Sequence, residues 1–83
     1  MLHDDAAMGV RAFSDARDEV RAALGADDPT SALRTAAIRI AGRGLGRTGV
    51  EAVFVSVCEE LAEAGHTEES ALVAYVLDMI AEW

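Results

Sequence analysis

The sequence predicts an all-α fold, a compact bundle of about four short helices, and three observations predict it. Apolar residues recur at three- and four-residue intervals through four separate segments, the period of a helix with one buried face. Glycine, proline and short polar residues stand between those segments, where helices end and begin. Val, Leu, Ile, Met and Ala supply most of the apolar surface, and only Phe13, Phe54, Tyr75 and Trp83 are aromatic. Thin side chains of that kind suit close helix–helix contact.

The first helix is expected over residues 4–24. Ala6, Val10, Phe13, Val20 and Leu24 fall at helical spacing, with Ala16 or Arg17 filling the gap, and Gly25 ends the segment. The second is expected over 29–41. Asp28 is its N-cap and Pro29 takes the first helical position, where a missing N–H costs nothing. Leu33, Ala36, Ala37 and Ile40 share one face, and Gly42 opens a loop that runs to Arg47. The third is expected over 49–64. Thr48 would cap it, and Glu51 three residues on would complete a capping box. Val50, Val53, Phe54, Val57 and Leu61 make its buried stripe, and Gly65 supplies a left-handed C-terminal residue. Val53–Val57 is rich in β-branched residues and also reads as a strand, but the flanking cap and the Glu-rich continuation favour helix. The fourth is expected over 68–82, with Thr67 as cap and Glu68 and Glu69 in the first turn. Leu72, Tyr75, Val76, Met79, Ile80 and Trp83 then repeat at helical spacing.

A chain of 83 residues is one domain, spanning 1–83. A domain of this size buries roughly 60–65% of its unfolded surface, enough for one modest core and no deep internal active site. The single cysteine, Cys58, excludes an intrachain disulfide and suits a reducing, cytoplasmic setting. The first residues, Met-Leu-His-Asp-Asp, are acidic where a signal peptide would be basic. No apolar run approaches the roughly 20 residues that cross a bilayer. Lys, Asn and Gln are absent and every base is Arg, the codon bias of a GC-rich bacterial genome or the composition of a salt-adapted protein.

Charge is sorted into blocks. Residues 29–50 carry four arginines, Arg34, Arg39, Arg43 and Arg47, and no acid. Residues 1–28 carry seven acids and three arginines, and residues 51–83 carry eight acids and no base, which leaves a net charge of -8. A polyanion is repelled by nucleic acid and anionic membrane, so neither is an expected partner. The cationic island must face an acid of its own chain, a second copy, a partner's acidic surface or a small anion. Arg39, Arg43 and Arg47 are spaced by four and are the candidate partner-binding arginines. The helix–helix connection reading would instead pair them with Glu51, Glu59, Glu60 or Glu63. The segment Gly42–Thr48 invites comparison with a phosphate loop, but its outer glycines are one residue too close, arginine stands in place of lysine, and no strand precedes it.

The last two helices carry more apolar surface than one stripe. Val55 lies off the main face of the third helix, and Val73 and Leu77 lie off that of the fourth. Val73 and Leu77 therefore join the candidate partner-binding set, with Trp83, which either staples the bundle shut or anchors a partner.

Other constellations point to solvated or structural roles. Glu63 and His66 form a Glu-x-x-His pair with Glu59 one turn earlier, but a carboxylate-bundle metal site needs a second pair and Gly65 ends the helix between the two. His3, Asp4 and Asp5 read as an acidic, frayed terminus. Cys58 reads as a small buried apolar residue. Ser14, Ser31, Ser56 and Ser70 have no His and Asp at suggestive spacing, so no enzyme class, metal or cofactor is indicated.

No motif is specific to a family. The C-terminal half, with Gly65, Glu69, Val76, Leu77, Asp78, Ile80 and Trp83, resembles small helical proteins of GC-rich bacteria, a resemblance that implies no activity. The expected function is a protein–protein interaction module, a homodimer or an adaptor. The alternative is a dedicated inhibitor, of immunity, antitoxin-like or phage-encoded type, whose acidic helices block a basic site. A further alternative is small-anion or metal binding at 42–48 or at Glu63 and His66.

Overall fold

The structure is a computed structural model that describes the backbone of residues 3–82 and the side chains of residues 11–82. It is an all-α bundle of helices α1 (His3–Leu24), α2 (Pro29–Ile40), α3 (Gly46–Glu63) and α4 (Thr67–Ala81). A five-residue π segment, Ala41–Leu45, joins α2 to α3. No strand occurs among the described residues, and Val53–Val57 lies within α3. α1 packs on α2 and α3, and α4 packs on α3 and α2. The α2–α3 pair is thus the middle of the bundle.

Two helix ends form as the residue types dictate. The Asp28 carboxylate accepts from the Ser31 backbone N–H at 3.3 Å and from the Ser31 hydroxyl at 2.9 Å, with Pro29 entering the helix behind it. Gly65, at φ +86°, ends α3. Its N–H bonds the Ala62 carbonyl at 3.1 Å, and the His66 N–H bonds the Leu61 carbonyl at 2.8 Å. This paired closure satisfies carbonyls that a helix end leaves open and needs a residue without Cβ at the left-handed position.

Three expected boundaries are corrected. Gly42 opens no loop: the chain winds on from Ile40 through the π segment and turns at Gly44, whose φ of +101° is inaccessible to most residues. Thr48 caps nothing. α3 begins at Gly46, Thr48 is an exposed residue of its first turn, and Glu51 faces Arg47 instead of closing a capping box. Gly49 shows why the helix can start early: a Cβ there would sit 2.7 Å from the Leu45 Cβ, so only glycine lets Leu45 fold over the first turn. Thr67 is the first residue of α4, and His66 holds the cap position with no side-chain hydrogen bond to the helix. Glu68 and Glu69 do occupy the first turn.

The core takes Ala16, Val20 and Ala23 from α1, and Leu33, Ala36, Ala37 and Ile40 from α2. From α3 it takes Val50, Val53, Phe54 and Val57, and from α4 Val73, Val76 and Ile80. The stripes of α2 and α3 are those the spacing predicts, with Leu61 partly buried at the end of α3. In α1, Phe13 and Leu24 flank the core, while Ala6 and Val10 have side chains outside the described residues. In α4 the phase differs. Val73 is fully buried and Tyr75 is 58% exposed. Residues 72–77 are all apolar, so spacing alone leaves the helix rotation open. Close packing against the valines of α3 favours the compact Val73 inward, and the Tyr75 hydroxyl keeps water as its partner.

Two neighbouring isoleucines of α2 test this burial. Ile40 is fully buried and Ile38 is 62% exposed. Ile40→Val is expected to lower unfolding free energy by about 1 kcal/mol in urea titration, and Ile38→Val to change it by less than about 0.5 kcal/mol. Equal losses at the two positions would contradict the packing.

Candidate interaction surface

Four of the seven arginines are engaged within the chain. Arg17 and Arg21 of α1 both reach the Glu60 carboxylate of α3, and Arg21 also lies 3.7 Å from Asp18. Arg43 of the π segment pairs with Glu19 of α1. Arg47 of α3 lies 3.4 Å from Glu51, and its guanidinium donates to the Ala81 carbonyl at the end of α4. That last contact puts a cation at the negative end of a helix that has no basic residue in its own last turn. Arg43 and Arg47 thus pair within the chain while about half of each side chain stays exposed. Of the acids the sequence offered as their partners, Glu51 takes Arg47, whereas Arg43 finds Glu19 across the bundle and Glu60 serves α1.

These contacts are half-exposed, and such pairs contribute about 0–1 kcal/mol each. The seam is also imperfect: Arg17 Nε and Glu19 Oε2 are buried without a hydrogen-bond partner. Its effect is to fix where α1 sits over α3 and the π segment.

Arg34 and Arg39 are different. Both are exposed on α2 and make no ion pair among the described residues. Ile38 stands between them on the same outward side. A shallow depression of about 330 Å³ runs between α1 and α2, floored by Ala22, Ala23, Ala32 and Ala36 with Glu19 and Arg39 at its edge. A second, of about 190 Å³, follows Ser31, Arg34, Thr35 and Ile38. Thr35 borders both, so Ile38 and the two arginines form a ridge with a hollow on either flank.

Arg39, a candidate from the sequence, is exposed as expected, whereas Ile38 and the alanine floor were not singled out. The signal for Ile38 was present. It is a large apolar residue out of phase with Leu33, Ala36, Ala37 and Ile40, with arginines four residues before and one after. The alanine hollow lies between two helices and has no signature in either alone.

The apolar face expected on α3 and α4 is smaller than the sequence suggests. Val73 is in the core, which removes it as a partner-binding residue, and Leu77 is half-buried against the core. Val55, 41% exposed, and Tyr75 remain outside. Tyr75 shares the outer side of α4 with Ala71, Asp78 and Glu82, all exposed and all at helical spacing. Trp83 lies outside the described residues, as do the side chains of His3, Asp4 and Asp5.

The remaining constellations resolve structurally. His66 Nδ1 lies 3.5 Å from Glu69, not against Glu63, and no group of three or more His, Cys, Asp or Glu side chains converges among the described residues. Cys58 is half-buried and hydrogen-bonded, not purely apolar. Its Sγ is 3.1 Å from the Ser70 hydroxyl, which donates to the Cys58 carbonyl at 3.1 Å, so the pair pins α3 to α4. Segment 41–45 is kinked at Gly44, whose φ of +101° is non-helical, and Gly46 follows at φ +66°. No described helix is long and apolar enough to cross a membrane.

Comparison with protein-family models finds no match, and comparison with curated proteins and with solved structures finds none either.

Glu60→Gln removes the charge behind the Arg17 and Arg21 pairs and leaves the Arg43–Glu19 pair in place. We expect a loss of about 1 kcal/mol in urea unfolding at low salt that shrinks toward zero in about 1 M NaCl. A loss of the same size in both conditions would mean that the arginines contribute through packing and not through charge.

Proposed function

We propose that this chain is a small protein–protein interaction module whose docking surface is the outer side of α2. The observation that carries the reading is the pair Arg34 and Arg39, exposed without ion pairs among the described residues, around the exposed Ile38. An arginine fork recognises carboxylates with directional hydrogen bonds, and an exposed aliphatic residue between two such forks adds apolar contact at the same place. The partner it fits presents acids and an apolar or aromatic side chain along one face of a helix. Electrostatic attraction supplies approach and register, while the hollows beside Ile38 supply fit. The net charge of -8 disfavours nucleic acid and anionic membrane as partners, and the reading is non-catalytic, without metal or cofactor, in a cytoplasmic setting.

A dedicated inhibitor is the second reading. It is favoured by Glu59 and Glu63, exposed one turn apart on α3, with Glu68 beyond the turn and no ion pair to any of the three among the described residues. A stripe of acids of this kind presents phosphate-like charge to a basic enzyme surface.

The test of the main reading uses a synthetic acidic amphipathic helix as probe. Binding by anisotropy is expected to weaken with salt, to fall at least tenfold in R34E/R39E, and to persist in R43A, with circular dichroism unchanged. Equal binding by R34E/R39E and the unaltered chain would reject α2 as the docking surface.

A further inference from the structure

We infer that the acidic helix docked by α2 is α4 of a second copy of this chain, an inference that rests on the interaction-module reading above. The outer side of α4 carries what α2 lacks. Tyr75 is its largest exposed apolar group, and Asp78 and Glu82 follow it one and two turns on, all exposed. α4 has no basic residue, so nothing on that helix neutralises those carboxylates. α2 has no acid and carries two arginines without ion pairs among the described residues.

At about 1.5 Å and about 100° per residue, Arg34 and Arg39 are about 7.5 Å apart along α2 and about 140° apart around it, so they stand on the two flanks of Ile38 and Thr35, whereas Asp78 and Glu82 are about 6 Å and about 40° apart on α4. The long arginine side chains reach across Ile38 and Thr35 toward that narrower carboxylate pair. Tyr75 precedes Asp78 by about 4.5 Å along the axis, which sets the ring beside the arginine pair when the carboxylates engage it. The hollow between α1 and α2, about 330 Å³ with an alanine floor and Arg39 at its edge, is of a size to take an aromatic ring, and the guanidinium at the rim adds a cation–π contact. Tyr is also a residue type that carries much of the energy of docking surfaces.

The arrangement inferred is isologous: about a two-fold axis, α2 meets the partner's α4 while α4 meets the partner's α2. Each copy then gives and receives the same contact, and the assembly stops at two. Both copies carry -8, so the local complementarity of these two faces must overcome a general repulsion.

Sedimentation equilibrium on the intact chain tests this with two charge-reversed variants. R34E/R39E makes both faces acidic, and D78R/E82R makes both faces basic. The unaltered chain is expected to dimerise below about 1 mM, and each variant alone is expected to be monomeric with unchanged helicity. An equimolar mixture of the two is expected to restore a dimer, because both contacts of the mixed pair are again opposite in charge. Y75A is expected to weaken dimerisation at least tenfold. Two results overturn the inference: an unaltered chain that stays monomeric to about 1 mM, or a dimer indifferent to both double variants. Should the chain stay monomeric while the acidic probe helix still requires Arg34 and Arg39, the second-copy inference falls and the interaction-module reading stands. If neither self-association nor probe binding depends on those arginines, both fall.

Discussion

A thin core obliges arginines to hold the helices in place, and the surface follows from how the arginines are divided. Among the described side chains α1 buries Ala16, Val20 and Ala23 fully or nearly so, and Phe54 is the one aromatic side chain that is fully buried. Small side chains bring helix axes close but give little resistance to sliding. The clamp of Arg17 and Arg21 on Glu60, with Arg43 on Glu19, adds lateral restraint to the packing of α1. Arg47 does the same for α4 by reaching both Glu51 and the Ala81 carbonyl. Such contacts add little net stability but are directional, which is what a helix with few large knobs needs.

That division gives the molecule its asymmetry. Arg43 and Arg47 lie at the π junction, within reach of acids from α1 and α3, and are spent there. Arg34 and Arg39 lie earlier on α2 and make no ion pair among the described residues, although Arg39 shares a hollow with Glu19 of α1. They remain as a positive ridge on an acidic protein, with Ile38 exposed between them. The proposed docking surface is built on this combination of a large aliphatic residue and two cations.

Much of this was legible residue by residue. Asp28 and Pro29 announced α2, Gly65 announced the end of α3, and the stripes of α2 and α3 followed from spacing, because in each case one local rule decides the outcome. The misses occurred where two rules compete. Gly42 to Arg47 reads as a loop, yet the positive φ values fall at Gly44 and Gly46 alone within it, while Gly49 admits Leu45 into the first turn of α3. Thr48 looked like a cap because the early start at Gly46 depends on that contact. The rotation of α4 could not be read from six consecutive apolar residues, so Val73 was placed outside and Tyr75 inside. The ridge on α2 was half legible: Arg39 stood out by charge, but the free state of Arg34 and Arg39 depends on which acids the fold brings to Arg43 and Arg47.

The account turns on which surface is covered in solution, and the amide NMR spectrum of the isotopically labelled chain, followed on dilution, addresses that most directly. Concentration-dependent shifts are predicted at Arg34, Thr35, Ile38 and Arg39 and at Ala71, Tyr75, Asp78 and Glu82, with Ala52, Glu59 and Glu63 unmoved. Shifts centred on Val55, Glu59 and Glu63, with α2 silent, would contradict it.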